Sequence, residues 1–176
     1  MDSAAPEDSC RCTLLRQSKR AIRRRAHKAI RLDPKDPWGF EERSYALADL
    51  GFCDRAIIDA NQAVSIAPKR FCAYVARSYA YLAHHQFDKA IAESSMAIRL
   101  SPKNASGYAL RGRALVRLGA FERAVPDLNK ATDLNPAYAK AFYDRSQAYA
   151  KLGKLDLSEK DRKRAKDLGF PREEKL

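Results

Sequence analysis

No apolar run in these 176 residues approaches the roughly 20 that a bilayer-spanning helix needs. The opening Met-Asp-Ser-Ala-Ala-Pro-Glu-Asp is acidic and has no apolar core, so no secretory signal is visible and a cytoplasmic protein is expected. Cysteine is scarce: Cys10, Cys12, Cys53 and Cys72 show no CxxC spacing, and free thiols are the expectation. The Cys10-Arg-Cys12 pair could be a redox pair, a lipidation site or half a metal site, but further ligands are missing, and an incidental role is the simpler reading. His27, His84 and His85 have no ligand-spaced partner, no glycine-rich phosphate loop exists, and no spacing suggests a nucleophile–base pair. No catalytic residue, metal ligand or cofactor is therefore expected, and the protein is read as a non-enzyme.

What the chain does contain is a period. Stepping by 34 residues returns Pro34, Pro68, Pro102 and Pro136, the aromatics Phe40, Tyr74, Tyr108 and Phe142, and two alanine columns. One column is Ala46, Ala80, Ala114 and Ala148, and the other is Ala63, Ala97, Ala131 and Ala165. Within a unit, apolar residues fall at helical spacing twice, as in Tyr108, Leu115 and Leu118, then Ala124, Leu128, Ala131 and Leu134. Gly51, Gly119 and Gly153 separate the two runs, where a helix end needs a left-handed residue. Asp54, Asp88, Glu122 and Asp156 then open the second run as expected N-caps or dipole partners, and proline closes it. The small column Ser44, Ser78, Gly112 and Ser146 allows close helix approach. Each unit is thus predicted to be an antiparallel helix pair that cannot bury its apolar face alone.

The spans follow from the period. Residues 1–8 are expected to be a flexible tail, and 9–36 a basic capping helix resembling the second half of a repeat. Complete units are expected at 37–70, 71–104 and 105–138, then a fourth at 139–170 whose second helix is polar, and a tail at 171–176. Lys160, Arg162, Lys163, Arg164 and Lys166 make that last helix a solubilising cap.

These recurring residues resemble the tetratricopeptide repeat (TPR) family over roughly residues 22–168, without one insertion. The resemblance implies an all-α right-handed superhelix of antiparallel helix pairs, acting as an adaptor or scaffold that binds a peptide or extended partner segment on a concave face. His84-His85 stands where other units have Leu-Gly, so a slightly different turn is expected in the second unit. The family's clamp for a chaperone's C-terminal carboxylate needs Lys and Asn, then Asn, then Lys and Arg in successive first helices. Here the positions hold Glu41 and Tyr45, Ala76, Ser106 and Leu110, or one unit later Val75 and Tyr79, Leu110, Lys140 and Asp144. Only Lys140 fits, so no such clamp is expected.

Three constellations follow. Arg43, Arg77, Arg111 and Arg145 recur in first helices, and Asp59, Glu93, Asp127 and Asp161 in second helices, which suggests a ladder of partly buried ion pairs. Trp38, Tyr45, Cys72, Val75, Tyr79 and Leu82, with Arg113, Arg117, Lys140, Tyr143, Gln147 and Lys151, are expected to line a groove. That groove would be aromatic at one end and basic at the other, and would suit a protein segment carrying a hydrophobic anchor and acidic residues. Finally, Arg11, Arg16, Lys19, Arg20, Arg23, Arg24, Arg25, Lys28 and Arg31 place nine positive charges and no acid between Ser9 and Leu32, most of the net +12. The bland reading is a solvated face. The alternative is a patch for nucleic acid or an anionic membrane surface, although no interleaved aromatic supports base stacking. The truncated first unit also leaves an apolar edge through which copies could associate.

Overall fold

The computed structural model describes residues 7–170, with side chains from residue 18 onward. Residues 1–6, the tail at 171–176, and the side chains of Cys10, Cys12, Arg11 and Arg16 lie outside the described residues. Among the described residues the protein is all-α, with nine helices and no strand. They are α1 (Glu7–Leu32), α2 (Pro37–Asp49), α3 (Cys53–Ile66), α4 (Phe71–Ala83), α5 (Phe87–Leu100), α6 (Ala105–Arg117), α7 (Phe121–Leu134), α8 (Ala139–Lys151) and α9 (Leu155–Asp167). Helix α1 begins at Glu7, two residues before the expected Ser9, and no described helix is long and apolar enough to cross a membrane.

The chain divides into two compact units, Met1–His84 and His85–Leu176. In the first, α1 packs on α2, α2 on α3 and α4, and α3 on α4. In the second, α5 packs on α6, α6 on α7 and α8, α7 on α8, and α8 on α9. The core of the second unit gathers Ala109, Leu115, Val116, Ala124, Leu128, Ala131, Ala141 and Ala148, with Tyr108, Phe121 and Tyr138 packed against it. Leu47, Ala48, Ala56 and Ala80 form a smaller cluster in the first.

The alanine columns are buried because the helices touch there. Ser44 Oγ donates to the Ala56 carbonyl at 2.9 Å, and Ser158 Oγ to the Ser146 carbonyl at 2.8 Å, so the small column carries hydrogen bonds as well as close approach. At Gly112 a Cβ would stand 2.6 Å from Leu128 Cγ, which makes glycine the residue that fits.

Local chemistry sets the boundaries. The Asp36 side chain caps α2 by accepting from Trp38 N at 3.0 Å, with Pro37 in the first turn. Asn104 caps α6 by accepting from Ser106 N at 2.9 Å. The pair turns are Schellman-like: Phe52 N bonds Leu47 O, Ala120 N bonds Leu115 O, and Lys154 N bonds Tyr149 O, each over a glycine at positive φ. The second helices depart from the expected N-caps. Their cap positions are Phe52, Gln86, Ala120 and Lys154, none with a side-chain cap bond. Asp54, Asp88, Glu122 and Asp156 lie in the first turn and act on the helix dipole instead. His85 stands in the glycine column and adopts a left-handed backbone at φ 57°, a strained conformation for a residue with a side chain.

The aromatic and proline columns are linked. Tyr74 Oη donates to the Pro68 carbonyl at 2.9 Å and Tyr108 Oη to the Pro102 carbonyl at 3.3 Å, tying the start of one pair to the end of the preceding one.

Candidate functional site

The arginine column sits one turn beyond the aromatic column, and this spacing stacks each guanidinium on its ring. Arg43 lies 5.8 Å from the Phe40 centroid, Arg77 5.4 Å from Tyr74, Arg111 6.0 Å from Tyr108 and Arg145 5.3 Å from Phe142. The stacked fork then points across the pair. Arg43 donates to both oxygens of Asp59 at 2.7 Å, and Arg111 does the same to Asp127. Arg145 holds Asp161 at 2.6 and 2.8 Å. The hydrogen bond to Asp59 is the chief reason the Arg43 pKa rises above its ordinary value, and Asp127 does the same for Arg111.

A second column went unnoticed in the sequence. The remaining Nη1 of each arginine reaches back 16 residues, to His27 Nδ1 at 2.9 Å, Asn61 Oδ1 at 3.3 Å, Ser95 Oγ at 3.2 Å and Asn129 Oδ1 at 2.9 Å. Arginine only donates, so the acceptor in the Arg43–His27 contact is His27 Nδ1. The only sequence signal was the recurrence of acceptors at 27, 61, 95 and 129.

Two further ion pairs join neighbouring pairs of helices. Glu41, only 4% exposed, receives Arg70 Nε at 2.6 Å. Arg113 Nε meets Asp144 Oδ2 at 2.7 Å with both side chains buried.

These pairs revise the expected groove. Arg113 does not line it: its guanidinium is committed to Asp144 beneath the surface. Val75 and Leu82 are also buried, drawn into helix packing by their apolar side chains. Tyr45 packs edge-on against Tyr79 at 5.5 Å, and the Tyr79 hydroxyl donates to Asp49, so both rings serve packing within the first unit. Trp38 is 37% exposed and Cys72 half-buried. Burial pushes the Cys72 and Cys53 thiols above their usual pKa, with Glu41 and Asp54 respectively adding to the shift. Lys140 lies 5.4 Å from the Phe170 centroid, while Phe170 stacks on Tyr143 at 4.7 Å.

The second unit does hold a wide open cavity of about 1110 Å³. Arg117, Tyr143, Gln147 and Lys151 are among the residues that line it. Phe87, Val116, Phe121, Ala150, Ala165 and Phe170 add apolar surface, and Arg162, Lys163 and Lys166 of α9 extend the basic rim, with Glu159 the one acid. Phe170 was legible only as a substitution at the proline column; in the structure it folds back through its N–H bond to the Ala165 carbonyl.

On the N-terminal helix, Arg20, Arg24, Arg25, Lys28 and Arg31 are exposed and Lys19 and Arg23 half-buried. Lys19 Nζ pairs with Asp49 at 3.3 Å.

Stacked helix pairs of 34 residues, joined by aromatic–proline ties and arginine–carboxylate rungs, define a helical-repeat protein. Residues 112–153 match the family model described as TPR repeat. The fold is the one of TPR proteins. TTC0263, a thermophilic TPR protein of Thermus thermophilus, superposes with a TM-score of 0.79 at 19% identity, over 96% of this chain and 93% of that one. MamA from Desulfovibrio magneticus RS-1 gives a TM-score of 0.66 at 23% identity, over 92% and 91%. A further MamA structure gives 0.66 at 20% identity, over 95% and 96%. No curated protein matches the sequence.

Proposed function

We propose that this protein is an interaction module, not an enzyme, that takes an extended segment of another protein in the cavity of its second unit. The observation that carries this reading is the composition of that cavity: an aromatic and aliphatic wall from Phe87, Val116, Phe121, Tyr143 and Phe170 beside Arg117, Lys151, Arg162, Lys163 and Lys166. Apolar side chains in an open recess gain by burial, and cations around them select for acid on the incoming chain. At about 1110 Å³ the recess exceeds the roughly 300–1000 Å³ of a usual small-molecule pocket, which favours a polypeptide. The partner is a segment with one or two large apolar residues flanked by aspartate or glutamate, bound without a chaperone-tail carboxylate clamp.

The probe is a fluorescent octapeptide with two central leucines and flanking glutamates, read by anisotropy with the full chain. Reversing Arg117 and Lys151 together to glutamate should weaken binding at least tenfold while circular dichroism stays unchanged. An affinity indifferent to that double reversal would remove the cavity from the reading.

A further inference from the structure

A second cavity, of about 590 Å³, lies wholly within the first unit, and the groove reading does not use it. Its walls come from three helices: Arg23, Arg24 and His27 on α1, Arg43 and Leu47 on α2, and Arg55, Ile58 and Asp59 on α3. The one carboxylate is already occupied, since both oxygens of Asp59 receive Arg43. Four arginines against one aspartate leave the lining at +3 with His27 neutral. Among the described residues Arg23, Arg24 and Arg55 have no acidic partner.

Packing does not demand arginine here. One repeat later the columns of Arg23 and Arg24 hold Ile57 and Ile58, and one repeat further Ile91 and Ala92. Arg55 adds a cation from α3 to those of α1 in the same recess. Guanidinia that line one recess repel each other, an anion there relieves the repulsion, and their planar forks match the oxygens of a phosphate. Leu47, buried, and Ile58, 65% exposed, give the wall an apolar part, which suits an organic carrier better than a free ion.

We propose that this cavity is a binding site for a phosphate monoester. Its dianion is held by Arg23, Arg24 and Arg55, its carbon skeleton rests on Ile58, and Arg43, fixed by Asp59 and His27, adds positive field.

Isothermal titration calorimetry of the full chain with O-phosphoserine and with inositol 4-phosphate tests this, with serine and inositol as blanks. Binding is expected to O-phosphoserine and to neither blank. A preference for O-phosphoserine supports a site for a phosphorylated protein side chain, and a preference for inositol 4-phosphate overturns that assignment. Arg24→Ala and Arg55→Ala should each weaken binding about tenfold or more, whereas Arg25→Ala and Arg31→Ala, exposed on α1 outside the cavity, should change it less than twofold. Circular dichroism checks that all four variants fold. No heat with either ester, or equal losses in both sets of variants, overturns the site, the latter by showing only the diffuse field of a basic helix.

Discussion

His85 is the residue that departs most from its column. Gly51, Gly119 and Gly153 hold the left-handed turn position elsewhere, and His85 adopts the same region at φ 57°. An L-residue in that region costs roughly 1–2 kcal/mol, part of which its edge-on contact with Phe87 at 5.8 Å offsets. Replacement by glycine also enlarges the freedom of the unfolded chain, which works the other way. The expected net effect of His85→Gly is a stabilisation of about 0.5–1 kcal/mol, read from the urea midpoint. The half-buried cysteines are residue-scale features as well. Cys53 and Cys72 have thiols shifted upward by desolvation, so less thiolate is present at neutral pH. Iodoacetamide should alkylate both more slowly than free cysteine at pH 7.5, with peptide mass mapping separating them from Cys10 and Cys12.

Between helices, the arginine–carboxylate rungs recur as partly buried ion pairs. Arg145 and Asp161 are 15% and 7% exposed as side chains, between a surface pair worth under about 1 kcal/mol and a buried pair whose disruption costs about 3–5 kcal/mol. Asp161→Ala should therefore cost about 2–3 kcal/mol in chemical unfolding, since it strands Arg145 between Phe142 and Tyr149. These rungs were legible in the sequence because both partners recur at one spacing of 16 residues. Glu41–Arg70 and Arg113–Asp144 were not, because neither recurs. The Glu41 column continues as Val75, Ala109 and Tyr143, and the Arg113 column as Gln147 after Tyr45 and Tyr79. A contact made once leaves no periodic trace, and so Arg113 reads from sequence as a groove cation when it is a buried anchor. The second-helix starts were misread for a different reason. A carboxylate in the first turn and one at the cap are a residue or two apart, and only the backbone distinguishes them.

Across the whole chain, burial is uneven. In the second unit α6 buries nine residues, from Ala105 to Val116, while α9 buries only Ser158, Asp161 and Ala165. Repeat arrays hold each element mainly through its neighbours, so the last helix, covered on one side, should open most easily. Native-state amide exchange should show α6 and α7 protected longest and α9 released first, and equal protection across the three would contradict that gradient. The all-α fold of helix pairs was readable because proline, aromatic and alanine each act on their own turn of helix. Where along the surface a partner would sit was not, because that depends on which side chains the packing consumes.

The tie from the Tyr74 hydroxyl to the Pro68 carbonyl, matched by Tyr108 and Pro102, also bears on how such a chain can change length. One residue added or dropped at that joint would swing the ring away from its acceptor and throw every later column out of phase. At these two joints a change by a whole module keeps the bond, whereas a change by one residue breaks it.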